Sequence, residues 1–191
     1  MAKFFILCFI HKCMGLNIPK IKPIKISSDR LICLQSVNKK MHPEQATFVL
    51  FSKKTGKVEG EMICHKSSME LRDDYSGKTL AIDFLIANKR KLGVGKALID
   101  FAKKFSKQMG CNGYIFLKAD PFITPNSAPH IFYRKCGFST LDEKFDTKID
   151  KYIKKNQDAS WRDMPAKLMF YPPQKQDKLS FIEKIKKFFA C

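Results

Sequence analysis

Residues 88–104 read NKRKLGVGKALIDFAKK: a basic cluster, two glycines one residue apart, and then apolar positions at helical spacing. Val94, Ala97, Leu98, Phe101, Ala102, Phe105 and Met109 form one stripe with lysines on the other side, which predicts an amphipathic helix from Val94. Gly110 stands where a C-cap glycine would stop it. Glycines just before a helix suggest a phosphate loop, because free N–H groups at a helix start face anions. A Walker loop, G-x-x-x-x-G-K-[ST], would put its first glycine at Arg90 and its hydroxyl residue at Ala97. A dinucleotide fingerprint would need a third glycine where Leu98 stands. Both readings fail. What remains is Arg90-x-x-Gly93-x-Gly95, whose glycines let the backbone turn and approach a ligand closely. Arg90, Lys91 and Lys96 add positive charge there. A strand–glycine–helix junction also arises for purely structural reasons, so the stretch alone does not decide its ligand.

Outward from it, Leu80–Ala87 (LAIDFLIA) reads as a buried strand before the helix, and Tyr114–Ala119 (YIFLKA) as a strand after it. Upstream, Arg30–Val37 is a short strand. Ala46–Ser52 and Lys57–His65 read as a hairpin joined through Lys53-Lys54-Thr55-Gly56. Downstream, Asp120–Pro125 is a loop. Ala128–Lys135 is a short helix started by Asn126 or Ser127, with Pro129 in its first turn, and Gly137-Phe138 ends it. Leu141–Gln157 is charged and partly helical, and Lys167–Tyr171 is a last strand closed by two prolines. The order β, β, β, β, α, β, α, β is that of one α+β domain with a mixed, mostly antiparallel sheet flanked by helices.

The chain has 191 residues, enough for one domain with a sizeable core. We divide it into an extension at 1–22, a domain at 23–173 and a basic amphipathic helix at 174–191. The opening MAKFFILCFIHKCMG is too short to span a bilayer. It reads as a buried strand or an over-long start with Met14 as initiator. The terminal helix, with Leu179, Ile182, Ile185 and Phe189 on one face, is expected to pack on its own domain or an identical partner rather than on a membrane. Seven cysteines with no CxxC pair suit a reduced, cytoplasmic protein, and four scattered histidines predict no metal site. The formal net charge is +18. Lysine supplies most of it, for only Arg30, Arg72, Arg90, Arg134 and Arg162 are arginines. That is a general positive field rather than the arginine forks that read bases, so a nucleic-acid partner is not expected.

A second segment gives the glycines their meaning. Asn126 precedes Tyr133 by seven residues, and Lys135, Gly137 and Phe138 follow it. Together with Arg90-x-x-Gly93-x-Gly95 one strand earlier, this resembles the GCN5-related N-acetyltransferase (GNAT) superfamily over roughly Arg30–Tyr171. Two departures stand out: Lys91 follows Arg90 where glycine is frequent, and Pro129 takes a position often held by alanine. The resemblance implies an acyl-CoA N-acyltransferase fold and transfer of an acetyl group from acetyl-CoA, as co-substrate, to a primary amine by direct attack, without a metal.

The resemblance also implies roles residue by residue. The pyrophosphate would be held by backbone N–H groups across Lys91, Leu92, Gly93, Val94, Gly95 and Lys96, with Arg90 beside them. Backbone groups of Leu85 and Ile86 would pair with the pantetheine arm, one N–H polarising the thioester carbonyl. The Asn126 side chain would bond the arm from the other side, and Tyr133 would protonate the departing thiolate. Asp83, two residues before Leu85, is expected on the same side of the strand and is the candidate base; Glu59 and Glu61 are weaker ones. The acceptor is a small molecule or a protein amino group, and the positive field disfavours polyamines and aminoglycosides. Two other classes predict other behaviour: a basic nucleic-acid or ribosome-associated binding module, and a GNAT-like domain that binds acyl-CoA without transfer.

Overall fold

The computed structural model describes residues 23–38, 45–68, 75–88, 92–121, 128–159 and 163–173. Seven strands form one sheet in sequential order: β1 (Ile24–Lys25), β2 (Arg30–Asn38), β3 (Gln45–Ser52), β4 (Val58–Ser67), β5 (Thr79–Ala87), β6 (Ile115–Ala119) and β7 (Lys167–Tyr171). Every neighbouring pair is antiparallel except β5 and β6. That parallel pair needs a crossover, and α1 (Val94–Gln108) supplies it. The helices α2 (Pro129–Lys135) and α3 (Glu143–Lys154) lie between β6 and β7. The architecture is the expected α+β one, with β1 added to the expected order and α3 lying within the stretch Leu141–Gln157 read as partly helical. β1 pairs only through Ile24↔Ile32 and Lys25↔Leu31, too short a run to show a period of two in sequence.

Alternation in β3 sorts the two faces of the sheet. Ala46, Phe48, Leu50 and Ser52 are buried, while the residues between them are half-buried. The buried face lies under α1: the Phe48 ring is 4.7 Å from that of Phe101 and 4.9 Å from that of Phe105. Gly60 on β4 lets the helix come down onto the sheet. A Cβ there would stand 2.5 Å from Val94 Cγ1 and 2.9 Å from the Ile86 carbonyl. Its lack of a side chain therefore sets the height of the α1 start above β4 and β5.

The helix α2 runs beside α1 on the same face. Lys103 Nζ donates to the Cys136 carbonyl at 2.7 Å, and the Phe132 ring lies against Gly95. Arg134 then ties α2 to α3, donating through Nε to Asp150 at 2.9 Å and through Nη1 to Asp146 at 3.2 Å. The cap of α2 differs from expectation. Ala128 is the N-cap, with no side-chain hydrogen bond, and Pro129 opens the helix. Proline at the first helical position has φ preset and no N–H to leave unpaired, so the helix starts without a hydroxyl or amide cap. Among the described residues no helix is long and apolar enough to cross a membrane. The expected extension at 1–22 and the terminal helix lie outside the described residues.

Two irregularities create the site. Between β4 and β5 the register runs Cys64↔Ile82 and then Ile63↔Phe84, so Asp83 is an extra, bulged residue. Between β5 and β6 the pairing runs Leu80↔Ile115, Ala81↔Phe116, Ile82↔Leu117 and then ends. Past that point β5 continues on β4 alone, while β6 continues on β7 through Lys118↔Leu168 and Ala119↔Lys167. The sheet opens into a cleft that begins at Asp83.

Candidate active site

On the α1 side, the start of the helix is an open donor surface. Gly93 is its N-cap, in the left-handed region at φ 73°, and no side chain caps the helix. The first intrahelical bond runs from the Ala97 N–H to the Gly93 carbonyl at 2.9 Å. The N–H groups of Val94, Gly95 and Lys96 therefore have no helical acceptor, and no acidic residue stands in the first turn. Such an end favours an anion. The two glycines have separate reasons. A Cβ on Gly93 would meet nothing within 4 Å, so backbone conformation alone requires glycine there. A Cβ on Gly95 would stand 3.0 Å from Phe132 Cζ, so packing requires it. Lys96 adds less free charge than its position suggests, because its ammonium pairs with Asp100 one turn on, at 2.5 Å.

The loop before the helix is tied to the sheet from below. Arg30 Nε donates to Glu59 Oε2 at 2.7 Å, and Arg30 Nη1 to the Leu92 carbonyl at 2.8 Å. The Asn88 N–H donates to the Glu59 carbonyl at 2.8 Å and its side-chain amide to the Val58 carbonyl at 3.0 Å. The tie from Arg30 to the loop occupies the Leu92 carbonyl, and the Asn88 bonds anchor the end of β5 to β4. The Arg30 pair also commits Glu59 and removes it as a free base. Because Asn88 turns its N–H to β4, alternation turns the backbone of Ile86 to β4 and that of Leu85 to the open edge. The Ile86 side chain is exposed. Arg90, Lys91 and Asn126 lie outside the described residues.

Tyr133 sits on α2 beside Phe132, the residue that touches Gly95. Its ring packs 5.1 Å from that of Phe132 and 5.9 Å from that of Phe138. Burial pushes the phenol up to about 12, with the neighbouring Cys136 thiol as a smaller cause. A phenol so placed stays protonated at physiological pH, the form in which it can donate a proton. The Cys136 thiol is itself raised, chiefly by burial, which is the wrong direction for a nucleophile.

At Asp83 one expectation changes, the side of the strand it shares with Leu85. The bulge shifts the alternation by one, so Asp83 and Leu85 do not share a side. Leu85 packs on the core under α1. Asp83 reaches across the opposite face, where its Oδ2 accepts from Gln45 Nε2 at 3.1 Å and bonds to His65 Nδ1 at 2.8 Å. His65 and Gln45 are themselves a cross-strand pair. Tyr133, in the helical core, and Asp83 thus stand on opposite faces of the sheet, with the cleft between them. His65, Arg30, Gly60 and Phe132 were not among the expected site residues. Only His65 left a trace in the sequence, as a polar residue at an outward position of an alternating strand. Among the described residues no cluster of His, Cys, Asp or Glu could hold a metal.

The chain aligns with several solved acetyltransferases. The chain aligns at 17% identity and TM-score 0.42 with a histone acetyltransferase HPA2-related acetyltransferase from Corynebacterium glutamicum, covering 70% of this chain and 67% of that one. Glucosamine-6-phosphate N-acetyltransferase from Arabidopsis thaliana aligns at 23% identity and TM-score 0.40, over 51% and 62%. Naa50 of the same plant, solved with the bisubstrate analogue CoA-Ac-MVNAL, aligns at 21% and 0.38, over 50% and 58%. The chain thus spans about two thirds or less of these three solved chains. No curated protein matches it in sequence. The profile of the acetyltransferase (GNAT) family, however, matches residues 29–138. That match takes in the hairpin, the bulged strand, the cleft, the uncapped helix and Tyr133 through Phe138, and the chain belongs to the acetyltransferase (GNAT) family.

Proposed function

We propose that this chain is an N-acetyltransferase that moves an acetyl group from acetyl-CoA to a primary amine in a ternary complex. The observation that carries the reading is the parting of β5 from β6 after Ile82↔Leu117 directly beside the uncapped start of α1. The donor's pyrophosphate takes the free N–H groups of Val94, Gly95 and Lys96, with Arg90, Lys91 and Leu92 in the loop before them. The pantetheine arm enters the cleft along the Leu85 backbone, with Ile86 beside it and Asn126 facing it. A neutral amine attacks the thioester carbon, the C–N bond forms, and the C–S bond breaks. The Tyr133 phenol gives its proton to the CoA thiolate, and the proton lost by the amine passes to a base on the other face of the sheet, where Asp83 stands.

Calorimetric titration with acetyl-CoA, followed by thiol release across a panel of amines, tests this. Saturable binding at micromolar acetyl-CoA with amine-dependent thiol release is expected. Binding without release from any amine would leave a non-catalytic acyl-CoA-binding domain, and no binding would end the reading altogether. The cytoplasm, with its acetyl-CoA and reduced thiols, is the compartment this chemistry suits.

A further inference from the structure

We infer that His65 is the proton acceptor for the attacking amine, and that Asp83 is its positioning residue rather than the base itself; this rests on the acetyltransferase reading above. The juxtaposition is local and specific. His65 is in register with Ala81, one residue before the last β5–β6 pair, Ile82↔Leu117. Asp83 is the bulged residue where the cleft begins. The bulge turns the carboxylate over β4, where it meets His65 Nδ1 at 2.8 Å and Gln45 Nε2 at 3.1 Å. A carboxylate can only accept, so Nδ1 carries the ring hydrogen and Nε2 keeps its lone pair. Among the described residues no other group bonds the ring. The His65 side chain is 15% exposed and that of Asp83 31%, so the pair is sheltered yet open to a ligand.

The charged neighbours leave that lone pair free. Gln45 on β3 is neutral and already donates to Asp83. Ala81 on β5 is apolar, Glu61 lies four residues along β4 on the same face, and the Lys66 ammonium is bonded to the Met109 carbonyl on the helical side. In the step itself, Nε2 takes one proton from the amine nitrogen as the C–N bond forms, giving an imidazolium beside the Asp83 carboxylate. Tyr133 protonates the sulfur as the C–S bond breaks. The acid acts from the helical side of the sheet and the base from the other, so they do not exchange the proton directly.

The test compares wild type with His65→Gln, His65→Ala and Asp83→Asn, using acetyl-CoA and a short peptide with a free α-amino group and one lysine as probes. Thiol release to water without peptide is the second readout. Expected for His65→Gln is a fall in kcat/KM of about 10² to 10⁴, unchanged acetyl-CoA affinity, and loss of the acid limb of the pH–rate profile. Millimolar imidazole restores part of the rate to His65→Ala. Asp83→Asn loses less than His65→Gln and gains nothing from imidazole, because its own imidazole remains. Wild-type rates in His65→Gln would overturn the assignment while leaving the acetyltransferase reading intact. So would a loss in His65→Ala that imidazole does not repair, the signature of a merely structural pair. A wild type that neither binds acetyl-CoA nor releases thiol would remove both.

Discussion

Gly93 and Gly95 stand one residue apart for unlike reasons, and substitution separates them. Alanine at 93 must hold a left-handed conformation in open space, which costs about 1–2 kcal/mol. Alanine at 95 has an ordinary helical backbone but presses on the Phe132 ring. Phe132→Leu should therefore repair Gly95→Ala and leave Gly93→Ala unrepaired, read as acetyl-CoA affinity and melting temperature in a double-mutant comparison. Equal repair of both would contradict the division. Tyr133 makes a second prediction at this scale. Tyr133→Phe keeps the ring that packs between Phe132 and Phe138 and removes only the proton. Turnover should fall about 10²-fold or more with acetyl-CoA affinity unchanged. Unchanged turnover would take the acid role from Tyr133.

Between elements, the decisive contacts join parts of the chain far apart in sequence. Arg30 on β2 reaches 62 residues ahead to the Leu92 carbonyl while paired to Glu59 on β4. It orients the end of the loop by occupying that carbonyl. Arg30→Ala should weaken acetyl-CoA binding several-fold, with a loss of melting temperature no larger than that of an ordinary surface substitution. Arg30→Lys should recover little, since one ammonium cannot bond both partners in the planar geometry of a guanidinium. Full affinity in Arg30→Ala would dismiss the brace. Most elements themselves were legible in sequence. The α1 stripe, the hairpin around Gly56 and the strand Lys167–Tyr171 all carry their periodicity in their own residues. The bulge at Asp83 was not legible. LAIDFLIA reads as one uninterrupted buried strand until β4 is laid beside it, and the extra residue exists only relative to that partner.

For the molecule as a whole, buried ionisable groups set the pH range of stability. His130 is fully buried in the core, and neither ring nitrogen has a hydrogen-bond partner among the described residues. Burial holds its imidazole below the usual value, partly offset by the charge of Asp120. The native state resists the proton that the unfolded chain accepts near 6.5, so stability is present above that pH and is lost as pH falls below it. Tyr133 acts at the other limit. Its phenol is pushed up to about 12 by burial, so the unfolded chain ionises first and stability falls as pH rises from about 10 toward 12. Melting temperature should decline at both ends, and His130→Phe should flatten the acid decline between about pH 6.5 and 5. An unaltered acid decline in that variant would place its origin elsewhere.

Most of the elements, the glycine pair and the resemblance built on Gly93, Gly95, Tyr133, Gly137 and Phe138 could be read within single segments, because helix periodicity, turn chemistry and motif spacing are local properties of a chain. Tertiary structure alone decided which side of the sheet each polar group serves. The bulge sends Asp83 to His65 and away from Leu85, and Arg30 meets Leu92 across three strands' worth of chain. Register and cross-strand contact depend on which strands become neighbours, and no single segment carries that information.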